Sequence, residues 1–288
     1  MKHTTTSPAD DDLRMLLMLT TRQIIRGGDP ADFLAWFEKY APLLAPGLMQ
    51  QTVDDPIAQR ALLVMLGRAI WNRTPVPANR FRPRPLPKPE RNAACPCGSG
   101  LKYKQCCAGF ESLPSPLDNF SFLPMVLDEL TASERKELPY SQLNHEELAH
   151  VAREWLSEGR PKDAMSLLEG LFRDMDSLDE RAESAFDCLL DCYDRCHNPL
   201  KKKRLIERGF KAPNKQLRAA AMQRQCCILA DRREYDAGWA LFQQLQRLTP
   251  DDPSLAHLEL LMLNGQGKRA MAAERARFWL ARLSHNQT

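Results

Sequence analysis

The chain has 288 residues, 43% hydrophobic and 27% charged, with a formal net charge of +3, the balance of a globular protein long enough for one large domain or two smaller ones. No apolar run approaches the roughly 18 residues a spanning helix needs, and the opening MKHTTTSPADDD lacks the basic-then-apolar order of a secretory signal, so a cytoplasmic location is expected. Nine cysteines, odd in number and clustered, argue against a secreted disulfide framework and for metal ligands or core thiols in a reducing compartment.

Residues 1–73 read as an N-terminal helical domain of about three helices. LRMLLMLTTRQII carries apolar residues on most faces, which predicts a well-buried helix. DPADFLAWFEKYAPLL offers Asp29 as N-cap and Pro30 as first helical residue, with Phe33, Leu34, Trp36 and Phe37 at helical spacing. DPIAQRALLVMLGRAIW repeats the Asp-Pro opening at Asp55-Pro56 and places Ile57, Ala61, Leu62, Met65 and Ile70 along one side.

Residues 74–90 follow as a basic linker with prolines at 75, 77, 83, 85, 87 and 89. Proline fixes φ and removes the N–H, so an extended, semi-rigid spacer between two structural units is predicted. Residues 74–110 hold seven basic side chains (Arg80, Arg82, Arg84, Lys88, Arg91, Lys102, Lys104) against one acidic, Glu90. The positive charge of the chain is therefore concentrated here.

Residues 91–110 contain Cys95, Cys97, Cys106 and Cys107, spaced C-x-C-x8-C-C. Four thiolates suit zinc in tetrahedral geometry, and iron accepts the same donors. Gly98 and Gly100 allow a tight turn and the approach of backbone N–H groups to sulfur, while Arg91, Lys102 and Lys104 can offset the excess negative charge. Adjacent side chains diverge, which makes Cys107 the most demanding of the four to place.

After a connecting segment, 111–139, residues 140–288 turn helical with a rough repeat. Ala164, Ala237 and Ala270 each follow a polar turn and open the second helix of a pair. The steps between them are 73 and 33 residues, which leaves room for one more pair made of DERAESAFDCLLDCYDRC and PLKKKRLIERGF. The predicted fold is all-α: an N-terminal helical domain, a small metal knuckle and a C-terminal α-solenoid of about four hairpins. The period, near 34 residues, resembles that of tetratricopeptide (TPR) arrays, in which stacked pairs bury a continuous core.

The stretch RNAACPCGSGLKYKQCC, Arg91 to Cys107, resembles the SEC-C motif, the zinc-binding tail of the SecA preprotein translocase motor. Ala93-Ala94 replaces the commoner acidic-proline pair, and Leu101 replaces a lysine. The resemblance implies a metal-stabilised surface that docks on proteins; SecA-like tails contact the SecB chaperone and are associated with ribosomes and lipid headgroups. Arg91, Lys102, Tyr103 and Lys104 are the candidate partner-binding residues.

Other features are weaker. In HEELAH, His145 and His150 lie five apart, off the four-residue spacing of a zincin. Cys188, Cys192 and Cys196 form one helix stripe, with His197 adjacent and Cys226-Cys227 later; packing between helices and a second metal site both fit. KKKR at 201–204 reads as a solvated face. No Walker-type loop or G-x-S-x-G occurs, so a non-enzymatic adaptor is expected, with a chaperone or ribosomal component among the candidate protein partners. The alternative is RNA or ribosome binding through 80–104, where only Phe81 and Tyr103 offer stacking surface.

Overall fold

The computed structural model describes residues 8–46, 56–112, 117 and 120–285. Among these, thirteen α-helices and short 3-10 turns account for the regular structure, and two isolated bridges replace any strand. The protein is all-α. It divides into two compact units, 1–139 and 140–288.

The first unit is built on α1 (Pro8–Gly27), α2 (Pro30–Leu44) and α3 (Pro56–Arg73). In α1 the buried stripe is Leu16, Leu17, Thr20, Thr21 and Ile24, while Leu13, Met15 and Met18 stay exposed. The all-round burial expected of this helix is therefore corrected to a single face. Two threonines fit that stripe because Thr20 spends its hydroxyl on the Leu16 carbonyl and Thr21 lies against the Met125 sulfur. Asp29 caps α2 by accepting from the N–H groups of Ala31 and Asp32, with Pro30 in the first turn. Asp55, the matching cap expected for α3, lies outside the described residues.

α3 is buried on two sides. Leu63 and Ile70 join the core of Leu16, Phe33, Phe37 and Trp71. Ala61 and Val64 instead pack with Cys95, Cys97, Tyr103 and Cys107. A helix serving two partners loses its single stripe, which explains why the side predicted from Ile57 to Ile70 differs and why Ile57 is 56% exposed.

The proline-rich stretch is not a free spacer. It runs back along α3 and is tied to it by Trp71 Nε1 to the Arg84 carbonyl (2.7 Å), Arg68 to the Pro87 carbonyl (2.7 Å) and the Leu86 N–H to Asn72 Oδ1 (2.8 Å). Proline removes donors but keeps acceptors. Residues 68, 71 and 72 stand on one helix face and supply what the strap needs. It begins with a tight turn in which Val76 bridges Arg82 and both Arg80 and Phe81 take positive φ. Beyond the knuckle, α4 (Leu123–Glu129) packs on α1, and α5 (Ala132–Lys136) opens with a Thr131–Glu134 capping box. The segment 111–139 thus contributes helices to this unit; it is more than a connection.

The second unit holds four helix pairs: α6 (His145–Ser157) with α7 (Pro161–Leu171), α8 (Glu183–Arg195) with α9 (Pro199–Gly209), α10 (Lys215–Asp231) with α11 (Tyr235–Leu248), and α12 (Ser254–Gly265) with α13 (Arg269–His285). The first helix of each pair packs on its own second helix, and in the first three pairs also on the first helix of the next. The clearest mark of repetition is backbone. Each first helix ends in a left-handed residue, at Gly159, His197, Arg233 and Gly267. In each case the next N–H reaches five residues back, as Arg160 to Trp155, Asn198 to Tyr193, Glu234 to Leu229 and Lys268 to Leu263. This is a Schellman cap four times over.

The alanine register needs correction. Ala164 is fully buried, but Ala237 and Ala270 are exposed; the buried small residues of those two helices are Gly238 and Ala272. Gly238 faces the Met262 sulfur, 3.2 Å from where a Cβ would stand.

Candidate metal centre

The knuckle is a hairpin closed without strands. Ala94 bridges Lys102, with Cys95 N–H donating to the Leu101 carbonyl (2.9 Å) and Tyr103 N–H to that of Ala93 (2.9 Å). Gly98 and Gly100 make its tip at φ +72° and +77°, the left-handed region where a side chain is strained. The chain then tightens into 3-10 turns over Tyr103–Gln105 and Cys107–Ser112. Between them Cys106 takes φ −134°, ψ −109°. That kink lets two adjacent cysteines face the same point.

Four sulfurs converge there, all within 4.8 Å of one another. Cys97 Sγ is 3.4 Å from those of Cys95 and Cys106, and Cys106 Sγ is 4.0 Å from that of Cys107. Tetrahedral zinc with bonds of about 2.3 Å places sulfurs roughly 3.8 Å apart, so the donor set fits a thiophilic ion. Every cysteine is a free thiol, and Cys95, Cys97 and Cys107 are buried.

Electrostatics inside the cluster are uneven. Burial pushes the Cys97 thiol up, but hydrogen bonds from the Ser99 hydroxyl and backbone, and from the neighbouring thiols, outweigh it and hold it near about 6. At Cys106 the Ser99 hydroxyl pulls downward, yet burial and the Cys97 and Cys95 thiols leave it raised. Burial, followed by the same two thiols, pushes Cys107 up. Ser99, whose Oγ lies 3.4 Å from Cys106 Sγ, is thus a member of the site that cysteine spacing alone does not reveal; its signal is a hydroxyl between two turn glycines. The N–H that reaches sulfur is that of Ser99, whereas Gly98 N–H bonds to the Cys95 carbonyl.

Arg60 is the second unforeseen residue. Its Nε holds Glu38 of α2 at 2.6 Å, and its Nη1 lies 2.9 Å from where a Gly98 Cβ would stand. A guanidinium from α3 therefore covers the loop at close range. Glycine is required at 98 both for its φ and for that approach.

Of the candidate partner-binding residues, Arg91, Lys102 and Lys104 are exposed. Tyr103 is 1% exposed and packs with Ala61 and Val64 of α3. It is a core residue, which corrects its assignment to a partner surface. The other sequence features do not assemble a site. His145 is buried at the start of α6 with Nε2 3.3 Å from the Tyr140 carbonyl, while His150 lies exposed beside Glu154. Cys188, Cys192 and Cys226 are buried, and among the described residues only the knuckle brings three or more candidate metal-ligand side chains together.

Fold and site together define an all-α protein with a compact four-cysteine centre able to hold a metal ion. The SEC-C motif matches residues 91–109. Over 21 residues the chain is 76% identical to a UPF0225 protein of Serratia proteamaculans (strain 568), covering 7% of this chain and 14% of that protein. Over 19 residues it is 84% identical to a UPF0225 protein of Sodalis glossinidius (strain morsitans), covering 7% and 12%. The chain thus spans only about an eighth of the length of these curated relatives, and the likeness is that of the knuckle. No solved structure matches the chain. Among the described residues no helix is long and apolar enough to cross a membrane.

Proposed function

We propose that this chain is a non-enzymatic, cytoplasmic adaptor whose knuckle binds zinc through Cys95, Cys97, Cys106 and Cys107 and presents a basic surface to a protein partner. The carrying observation is the convergence of four free thiols within 4.8 Å beneath an exposed rim of Arg91, Lys102 and Lys104. The metal's contribution is a closed, tetrahedral staple that fixes this rim. Iron accepts the same donors. The helix pairs of residues 140–288, with steps of 38, 36 and 34 residues between their left-handed caps, support a TPR-like array as the second interaction module. A chaperone or a ribosomal component is the class of partner the motif suggests.

Replacing Cys106 by serine tests the reading. Metal content should fall at least tenfold and partner capture should be lost with it, while far-UV helicity stays nearly unchanged. Capture that survives in the metal-free variant overturns the proposal.

The competing reading is RNA binding along the strap and knuckle. Arg80, Arg82, Arg84, Lys88, Arg91, Lys102 and Lys104 are all exposed, which favours an acidic partner of either kind. With Tyr103 buried, only the half-buried Phe81 is left for base stacking, thin for single-stranded RNA. Titration of the chain with RNA at low ionic strength tests this reading: phosphate contacts are strongest there, so no binding under that condition removes it.

A further inference from the structure

The four-pair unit carries a cleft of its own. A cleft of about 400 Å³ opens between α7, α8 and α9, within the size range of small-molecule pockets. Its floor is apolar: Phe172, Leu189 and Leu205 are nearly fully buried. Its walls carry Arg173, Lys201, Arg204 and Arg208 against a single carboxylate, Glu169.

That carboxylate is already used. Lys201 Nζ sits 2.8 Å from Glu169 Oε1, and the Tyr193 hydroxyl donates to the same oxygen at 3.2 Å. Arg208 spends its Nη2 on the neutral carbonyls of Phe172 and Arg173, which fixes the guanidinium without neutralising it. Among the described residues the side chains of Arg173 and Arg204 make no ion pair. Three guanidinium groups therefore line one concave surface whose one carboxylate, Glu169, is already paired with Lys201. The neighbouring cations of α9 behave differently: Lys202 pairs with Asp194 and Lys203 with Glu207.

We propose that this cleft binds a phosphate monoester, its dianionic group held by Arg173, Arg204 and Arg208 and its organic part resting on Phe172 and Leu205. Guanidinium forks match planar pairs of phosphate oxygens. A dianion fits three uncompensated cations better than a single carboxylate does. Lys201, held by Glu169, fixes the rim of the cleft.

The test is calorimetric titration of the full chain at low ionic strength with inorganic phosphate and with adenosine 5′-monophosphate. Saturable one-site binding is expected, tighter for the nucleotide because the apolar floor is used. The double variant Arg173→Ala/Arg204→Ala should weaken both at least tenfold. Lys203→Ala/Lys211→Ala, which removes the same charge elsewhere on this unit, should stay within twofold. Arg173→Lys/Arg204→Lys keeps the charge and should still lose threefold or more, and it serves as the reading variant if the alanine pair fails the circular dichroism check for folding. Absence of saturable binding overturns the site. So does an equal loss in the Lys203/Lys211 control, which would mean unspecific attraction. Equal affinity for acetate or for an unphosphorylated acidic peptide overturns the phosphate assignment.

Discussion

At the residue scale, legibility depends on how local the determinant is. The four cysteines could be read because their ligand geometry is written within thirteen positions, 95–107. Ser99 and Arg60 could not, because their roles depend on a loop conformation and on α3 lying beneath it. The same holds for Tyr103, an aromatic in a basic run that turns out to be core. The repeat in residues 140–288 was hard to register for a related reason. Its invariant feature is a left-handed backbone position, and only two of the four, Gly159 and Gly267, are glycine. His197 and Arg233 hold φ of 53° and 60° and are exposed, so each bears the steric cost of Cβ in that region. Replacing either by glycine should stabilise the protein by about 0.5–1 kcal/mol, a rise of roughly 1–4 °C in Tm. Lys203→Gly, in the interior of α9, should instead cost about 1 kcal/mol. A fall in Tm for His197→Gly or Arg233→Gly would show that those side chains add contacts worth more than the strain.

Elements were legible where one face meets one neighbour and obscure where it does not. α2 follows its cap and its Phe33–Phe37 stripe, whereas α3 divides its burial between the α2 side and the knuckle. The strap looks like a spacer in sequence because proline content reports missing donors and says nothing of acceptors satisfied from another element. The short α5 leaves no trace in the sequence pattern, since five residues carry no periodicity. What secures it is electrostatic. Arg26 of α1 reaches Glu134 at 2.9 Å and also the Glu129 carbonyl. The Arg26 hydrogen bond, followed by the Thr131 backbone N–H, holds the Glu134 carboxyl near about 2, below the ordinary 4.5. A carboxylate with a depressed folded pKa contributes stability that is full above the unfolded value and disappears as pH falls from there through the folded one. Both side chains are partly exposed, so the contribution is small, about 0.5–1 kcal/mol. Glu134→Gln should therefore lower stability by that amount at pH 7, and the difference from the parent should shrink between about pH 4.5 and 2. A deficit that persists unchanged at pH 2 would show that the lost capping geometry matters and the charge does not.

For the molecule as a whole, helical periodicity and the repeat in residues 140–288 carry the all-α class, and they give the number of helix pairs without their register. What remained hidden was that the first unit is assembled around one helix. α3 touches the α2 core through Leu63 and Ile70, the knuckle through Ala61 and Val64, and the strap through Arg68, Trp71 and Asn72. A knuckle of about 20 residues has little core of its own. A bound metal, worth roughly 10–16 kcal/mol in small zinc sites, would supply much of its order. Because that order continues into α3, removing the metal should be felt beyond the cysteines. Chelation of the full chain should speed amide exchange in 91–109 and also at Ala61 and Val64 and at Leu86, whose N–H depends on Asn72. The mechanism is direct: an unfolded knuckle uncovers one side of α3, frees Arg60 from Gly98 and loosens the strap that leads into Arg91. Exchange confined to 91–109, with α3 and the strap as slow as before, would mean that the knuckle folds on a scaffold already complete without it, and the coupling argued from Arg60, Ala61 and Val64 would fall.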